Sequence, residues 1–265
     1  MDFDKIREKY EHVYIQSGRL FAEECKLLED TISFSFASYE NLVKNKLDER
    51  SQHLAAFFYR NTIYLSAAYQ MVRSGMMDPA GNNMRTIFET IVWQYAYLTD
   101  DDVYKNFKEM EDLDSDKLKL IAQKKWSNTS EKKLENLRRK YNFQKMMKSL
   151  YSKEVYEKFF FNQYWVLCQK SHSSIFSLNF NTPNLEGTTT MEKRPQEIKD
   201  NLTALLYLST ENLLCFLNCF SNYLSQTHID PVLTFTNQIN SKIPPALSLA
   251  PDQKELKFTL QFREI

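Results

Sequence analysis

The chain has 265 residues, of which 43% are hydrophobic, and its 34 basic and 34 acidic side chains give a formal net charge of zero. This balance excludes a globally basic nucleic-acid-binding protein and an acidic tail, while the hydrophobic content is sufficient for one large core. Only four glycines are present, far below the ~7% of an average protein, and good helix formers fill long stretches. The composition predicts an all-α fold.

Hydrophobic periodicity predicts three helices before the first clear turn, at about Phe3–Glu29, Thr31–Lys46 and Glu49–Arg73. Asn61 lies within the apolar stripe of the third helix. A stop signal that ends in Gly75 is followed by a start signal, Asp78 and Pro79, because glycine takes the left-handed conformation past a helix end and proline fits a first helical turn. The third helix and a fourth, at about Pro79–Leu98, therefore form a long helical hairpin built on antiparallel packing.

Two charged residues of the fourth helix, Arg85 and Glu89, border its apolar face. At about 100° per residue, Phe88 and Ile91 face the core, whereas Arg85 and Glu89 share a sector with Trp93. Their i,i+4 spacing predicts an ion pair that is partly shielded from water. Two interpretations stay open, a structural pair that holds the hairpin together and a functional site.

A strongly basic segment follows, with short helices expected at about Asp101–Glu111, Ser115–Lys125, Ser130–Lys140 and Phe143–Leu150. Between positions 117 and 148 there are eleven basic residues against two acidic ones, with aromatic residues interleaved. Basic side chains bind phosphates and aromatic rings stack on bases, so the segment is a candidate site for RNA or single-stranded DNA. The candidate contacts are Lys124, Lys125, Trp126, Arg138, Arg139 and Lys140. The alternative is a solvated face balanced by the acidic residues between Asp100 and Asp116.

Two more long helices are expected at about Lys153–Ile175 and Glu197–Gln226, and a shorter one begins at Asp230 and Pro231. Residues 179–195 are rich in Asn, Thr, Pro and Gly without periodicity, which is typical of a loop. His172 lies on the shoulder of the first of these helices. It is a candidate acid or base, and a hydrogen-bonded core histidine is the alternative.

The cysteines, the amino terminus and the most apolar stretch bear on the compartment. Cys25, Cys168, Cys215 and Cys219 lie inside predicted helices without CxxC spacing, which favours neither a zinc site nor a redox pair. No basic region followed by an apolar run marks a secretory signal. Polar residues interrupt the apolar run Leu202 to Leu224, so we expect a buried helix rather than a membrane span. A cytoplasmic protein without metal or cofactor is expected.

The hydrophobic periodicity of the sequence changes in its last residues. Apolar and polar residues alternate, with Leu256, Phe258, Leu260 and Phe262 on one side, which predicts a short C-terminal β-strand with one buried face. A single strand needs a partner, so it pairs with an unlocated strand or with a second chain in a homo-oligomer, or it docks along a helical groove. The predicted organisation is a multi-helix bundle over 1–242, with 101–150 as a basic helical excursion, and an extended tail over 243–265.

The stretch from Tyr59 to Leu178 resembles a prokaryotic all-helical family, a domain of unknown function with an Arg-x-x-x-Glu helix and a later Ser-His element. The resemblance lies in Met84 to Glu89 and in Ser171-His172. It implies a helical fold and a shared polar cluster of Arg85, Glu89 and His172, which would be the candidate catalytic residues. The residue four before the histidine is Cys168 rather than serine, which departs from the polar part of that element.

A more distant resemblance is to the helical ribonucleases of defence and toxin systems, whose signature is an arginine followed by histidine after four to six residues. Trp165, Val166 and Leu167 occupy the positions before His172 where arginine belongs. Arg7 and His12 satisfy the spacing, but ~0.45 such matches are expected by chance.

Three functional hypotheses follow. The leading one is a protein that acts on or senses nucleic acid, with stress or phage defence as a context by analogy to helical relatives. The first alternative is a non-enzymatic protein-interaction or oligomerisation module, in which Arg85, Glu89 and His172 only hold the bundle. The second is a small-molecule-binding bundle, because helical bundles hold ligands between facing helices. No phosphate-binding loop or nucleophile motif points to a named enzyme.

Overall fold

A computed structural model describes residues 3–140, 142–153, 157, 164 and 195–242 of the chain. Within these residues every regular element is helical and no strand occurs, so the predicted all-α bundle is confirmed. The predicted C-terminal strand lies outside the described residues. The helices are α1 Phe3–Leu20, α2 Ala22–Leu42, α3 Glu49–Arg73, α4 Met77–Thr99, α5 Asp101–Ala122, α6 Asn128–Lys140, α7 Phe143–Leu150, α8 Pro195–Phe220 and α9 Gln226–Asn240.

Three helices, α3, α4 and α8, form the centre of the bundle, and α2 packs against α3 and α8. Large side chains are fully buried between them, among them Phe58, Phe88 and Phe216. The rings of Phe58 and Phe216 join α3 to α8 with centroids 4.4 Å apart. At ~1.5–3 kcal/mol for each large apolar side chain removed from water, this packing is the main stabilising term of the fold.

The hairpin of α3 and α4 forms as predicted, and Gly75 has a φ of 77° at its turn. The predicted start of α4 at Pro79 was wrong by two residues. The Met77 side chain is buried, with 4% exposure, and the Ala80 amide donates to the Met76 carbonyl at 3.2 Å. Burial of Met77 therefore begins the helix earlier, and Asp78 lies inside the first turn, where its negative charge complements the positive end of the helix dipole.

The first two helices meet at Phe21 rather than near residue 30. Backbone bonds from Phe21 to Ser17 and from Cys25 to Phe21 almost continue the helix, but Phe21 itself has φ −123° and ψ 43°. Its side chain packs against the core, so α1 and α2 are two arms of one kinked helix. Periodicity in a single sequence misplaced this boundary because both arms keep helical spacing through the kink.

The first part of the basic excursion is one helix where two were predicted. Ser115 was expected to begin a second helix, yet its hydroxyl donates to the Asp112 carbonyl within α5, and α5 continues to Ala122. The next helix begins at Asn128 rather than Ser130, because the Ser127 hydroxyl accepts from the Ser130 amide at 3.1 Å. A serine can bond its own helix as well as cap one, so sequence alone did not separate these cases.

Two later boundaries also differ from the expected ones. The helix α8 ends at Phe220 rather than at Gln226, and α9 begins at Gln226, well before Pro231.

Within the described part of the chain, α8 is the one helix long and apolar enough to span a membrane, and 83% of its most apolar window is buried inside the bundle. Such burial is typical of a core helix.

Arg50 joins α3, α4 and α5. Its guanidinium donates to the Tyr97 carbonyl at 2.6 Å and to the Leu98 carbonyl at 3.1 Å, and it pairs with Asp101 at 2.8 Å. A cation at the carboxyl end of a helix satisfies carbonyls that have no intrahelical partner. Beyond this base α5 and α6 are mostly exposed: Val103 is the buried residue of α5, and α6 buries two leucines. The last helix of the excursion, α7, packs on α4 and buries Met146 and Met147.

At the other end of the bundle, Arg73 of α3 holds α1. Its guanidinium carbon lies 3.7 Å from the centroid of the Tyr14 ring, and its nitrogens donate to the Tyr14 hydroxyl at 2.9 Å and to Glu29 at 3.2 Å. The close approach depends on Gly18, because a Cβ there would lie 2.1 Å from Nη2 of Arg73.

Gly18→Ala is expected to destabilise this contact. Alanine gains up to ~1 kcal/mol over glycine inside a helix, but displacement of Arg73 breaks charge-assisted hydrogen bonds worth ~1.5–3 kcal/mol each. The expected net loss in the free energy of unfolding is about 1 kcal/mol, measured by urea denaturation, with faster amide hydrogen exchange in α1. Arg19→Ala, an exposed neighbour, is the control and should change stability by less than ~0.5 kcal/mol. A gain of stability in Gly18→Ala would show that Arg73 does not hold α1.

Candidate functional site

The ion pair expected on α4 is present. Nε of Arg85 lies 2.8 Å from Oε1 of Glu89, and the two side chains are 27% and 29% exposed. Glu89 also accepts a hydrogen bond of 2.7 Å from the Tyr164 hydroxyl. The guanidinium of Arg85 lies 5.7 Å from the centroid of the Tyr164 ring. This pair therefore binds a side chain far along the chain, besides stabilising its own helix.

Apolar packing holds the Tyr164 ring beside the ion pair. The ring lies 4.4 Å from that of Phe143 at the start of α7 and 5.8 Å from that of Phe88 on α4, measured between centroids. No local pattern in the sequence indicates this contact, since helical spacing places Tyr164 only on a stripe of its own helix. The predicted third member of the cluster, His172, lies outside the described residues, so its meeting with Arg85 and Glu89 stays a prediction.

A row of buried amides crosses the centre of the bundle. Nδ2 of Asn61 on α3 donates to Oε1 of Gln94 on α4 at 3.0 Å and to Oδ1 of Asn212 on α8 at 3.1 Å. All three residues are fully buried. The sequence placed Asn61 in the buried stripe of its helix, but it did not indicate which side chains would meet it.

A buried carboxyl group, that of Glu211, lies on α8 beside this row and is fully shielded from solvent. Burial raises the pKa values of Tyr95, Tyr151 and Tyr207 well above their ordinary range, and the negative field of Glu211 adds to the effect. These phenols therefore stay neutral at physiological pH. Sequence reasoning did not name Glu211 as a site residue, although it is the one charged residue between positions 202 and 224.

The thiols of Cys215 and Cys219 are one turn apart, with sulfurs 3.9 Å from each other. Burial raises the pKa of Cys215 well above its ordinary value, so its thiol stays protonated. Within the described ranges, no group of three or more His, Cys, Asp or Glu side chains has a geometry that could hold a metal ion.

Ion pairs join part of the basic segment to acidic residues. Across the α5–α6 hairpin, Lys133 pairs with Glu109, Arg138 with Asp114 at 2.7 Å, and Lys117 with Glu131 at 2.9 Å. The acidic partners at 109 and 114 belong to the stretch that the alternative interpretation had named. Three of the eleven basic residues of this segment are therefore held in contacts between the two helices.

The six predicted nucleic-acid contacts differ in their surroundings. Arg138 is paired as described, and Arg139 is 77% exposed with Glu135 at 3.6 Å. Lys140 is exposed in the last position of α6. Nε1 of Trp126 donates to Glu131 at 2.8 Å. Lys124 and Lys125 are exposed and form no ion pair within the described part of the chain.

The connection from α5 to α6 places Lys124 and Lys125 at the tip of the hairpin. The Lys125 amide donates to the Leu120 carbonyl at 2.8 Å and the Lys124 amide to the Ile121 carbonyl at 2.9 Å. These two bonds define a Schellman motif, whose left-handed position usually holds glycine. Here Lys124 occupies it, with a φ of 56°, and a non-glycine residue is strained there.

Comparison with protein-family models, with curated proteins and with solved structures found no match to this chain. Its function is therefore inferred from its own residues.

Lys124→Gly is expected to stabilise the hairpin. Glycine adopts a positive φ without the steric cost that a Cβ brings, which is about 1 kcal/mol for a single residue. The free energy of unfolding should rise by ~0.5–1 kcal/mol, or the local opening of α5 and α6 should slow in hydrogen exchange. Lys125→Gly, at the next residue, removes the same charge but relieves no backbone strain, because the positive φ is at Lys124. This variant should therefore lower the free energy of unfolding. Equal effects of the two variants would contradict strain at Lys124.

Asn61→Ala should be much more destabilising. The change removes the donor shared by Gln94 and Asn212 and leaves two buried acceptors and a small cavity, so the free energy of unfolding should fall by ~2–4 kcal/mol. Gln70→Ala, on the exposed side of the same helix, is the matched control and should cost less than ~0.5 kcal/mol. Urea denaturation measures both. A loss below ~1 kcal/mol for Asn61→Ala would show that the amide row contributes little.

Proposed function

We propose that this protein binds single-stranded nucleic acid through the tip of the α5–α6 hairpin. The observation that carries the proposal is Lys124, which keeps a strained left-handed backbone at the end of an exposed hairpin. Strain of this kind persists where the surrounding structure or a function maintains it. The strained turn presents Lys124 and Lys125 side by side at the point farthest along the hairpin.

The charge at the tip is available to a ligand. Lys119, Lys124, Lys125 and Lys132 are exposed and have no ion pair within the described residues, whereas the basic residues farther down the hairpin mostly face acids. Lysines at the tip can approach phosphates without first breaking such a pair. Each phosphate contact releases counterions, which is the main source of affinity in non-specific binding.

Exposed apolar side chains accompany these lysines. Leu118 is 79% exposed and Ile121 is 48% exposed, and the ring of Trp126 is partly accessible. Unpaired bases offer apolar faces to such side chains, whereas a duplex hides its bases inside the stack. This mixture of cations and apolar groups favours a single strand over a duplex.

The cellular setting we propose is the cytoplasm. Cys25, Cys215 and Cys219 are free thiols, as is usual in a reducing compartment. Stress or phage defence is the biological context proposed, and it rests on the resemblance to helical families. The polar cluster of Arg85, Glu89 and His172 is proposed as a candidate catalytic group on the same ground.

Anisotropy of a fluorescent single-stranded oligonucleotide tests the binding proposal. The double variant Lys124→Glu/Lys125→Glu should lower affinity at least tenfold at low salt, and the slope of log K against log salt should decrease by about 1.4, or ~0.7 for each phosphate that is no longer bound. The control Lys5→Glu/Lys9→Glu makes the same change of charge on the exposed face of α1. An equal loss in both variants would indicate a general charge effect, and absent binding by the wild-type protein would refute the proposal.

A second candidate function is an interaction module that uses the tail. The observation that favours it is the alternation of Leu256, Phe258, Leu260 and Phe262, which we propose forms a short strand against a partner or a second chain. Deletion of Lys254 to Ile265 should then lower the melting temperature, because those side chains lose ~1.5–3 kcal/mol each of burial. An unchanged melting temperature would show that the alternation has no structural role.

A further inference from the structure

An exposed aromatic face covers the outer side of the α2–α3 pair. We define it by Phe36 and Tyr39 on α2 and by Tyr59 and Ile63 on α3. The rings of Tyr39 and Tyr59 are stacked with centroids 4.4 Å apart, and Phe36 meets Tyr59 edge-on at 6.0 Å. Tyr59 is 39% exposed and Ile63 is 44% exposed. The face is thus ordered by its own ring contacts, with Tyr59 and Ile63 exposed and with Phe36 and Tyr39 half-buried against the core.

Charge is almost absent around the aromatic face. Between Ser33 and Leu42 on α2 the one charged residue is Glu40, and between Leu54 and Val72 on α3 it is Arg60. Both side chains are exposed, and neither forms an ion pair within the described residues. Much of this stretch of α3 faces the core, but its exposed positions other than Arg60, which are Ala56, Tyr59, Ile63 and Gln70, also carry no charge. Interface cores are depleted of charged residues in the same way.

We propose that the aromatic face binds a second copy of this chain in a two-fold symmetric dimer. The two charges that border the face have opposite signs and lie on different helices. A two-fold axis that sets α3 of one copy against α2 of the other pairs Arg60 with Glu40 twice, while the aromatic rings meet near the axis. This self-complementary arrangement is what an isologous interface requires. The zero net charge of the chain adds no overall repulsion between copies.

The area of the face is consistent with a dimer. From Leu54 to Val72, α3 is about 28 Å long at 1.5 Å per residue, and two adjacent helices are about 20 Å wide. This outline is at most roughly 600 Å² for each copy, or on the order of 1,200 Å² in total, which is the lower limit for stable specific interfaces. The dimer should therefore dissociate on dilution rather than persist at all concentrations.

Sedimentation equilibrium of the full chain with charge-reversed variants tests the proposal. The wild-type protein should approach about 63 kDa at high concentration, twice the chain mass of 31.5 kDa. Arg60→Glu and Glu40→Arg should each raise the dimer dissociation constant at least tenfold, because each sets like charges against one another. The double variant Arg60→Glu/Glu40→Arg restores opposite charges and should recover most of the affinity. Circular dichroism should show all three to be folded, since both positions are exposed.

Ile63→Asp and the tail deletion complete the test. An aspartate on the face should leave a monomer of about 31 kDa, whereas deletion of Lys254 to Ile265 should leave the dimer intact. The proposal would be overturned if the wild-type protein were monomeric at every concentration. It would also be overturned if neither Arg60→Glu nor Ile63→Asp changed the dimer dissociation constant. Loss of the dimer in the tail deletion alone would assign the interface to the tail instead. Failure of the double variant to recover would overturn the pairing of Arg60 with Glu40. None of these results depends on binding of an oligonucleotide.

Discussion

The hydrogen bonds of Asn61 to Gln94 and Asn212 set the relative positions of the three central helices. Apolar contacts alone would tolerate a shift of α8 by one turn, because leucine and phenylalanine recur along it. A displaced α8 would separate Asn212 from Asn61 and leave the buried Asn212 carbonyl without this donor, at ~1–3 kcal/mol for an unsatisfied group. Burial of polar groups therefore favours one arrangement over others more than it adds stability, as with a buried asparagine in a coiled coil. The hairpin, α2 and the excursion are all attached to this core.

Outside the core, ion pairs and hydrogen bonds of charged side chains attach the surrounding helices to the central ones. Arg50 and Arg73 occupy opposite ends of α3, where one bonds the carboxyl end of α4 and the other holds α1. The pair of Arg85 and Glu89 likewise positions Tyr164. In the α5–α6 hairpin, ion pairs between the helices supplement the small apolar contact that Leu134 and Leu137 make. Charges are thus used mainly to join elements. The lysines at the hairpin tip and Arg60 on the aromatic face differ, because none of them forms an ion pair within the described residues.

Local signals predicted local features well. The hairpin turn at Gly75, the buried position of Asn61 and the pair of Arg85 with Glu89 all depend on residues within a few turns of one another, and each is observed. The predicted helix boundaries were less accurate where a residue type can either cap a helix or bond within one. The Ser115 hydroxyl donates a hydrogen bond within its own helix rather than capping another one. The helix α4 begins at Met77 because the Met77 side chain is buried in the core.

The sequence by itself determined the helical class, the long hairpin and the residues that could carry charge or hydrogen bonds at the candidate sites, because helical periodicity and capping act over short distances. Only the tertiary structure decided which of these residues meet. It set Tyr164 against Glu89, paired Lys133 and Arg138 of α6 with acids of α5, placed buried tyrosines within the field of Glu211 and left Tyr59 and Ile63 of the aromatic face exposed. Such contacts join residues far apart in the chain, and their partners are selected by the packing of whole helices, which no local pattern specifies.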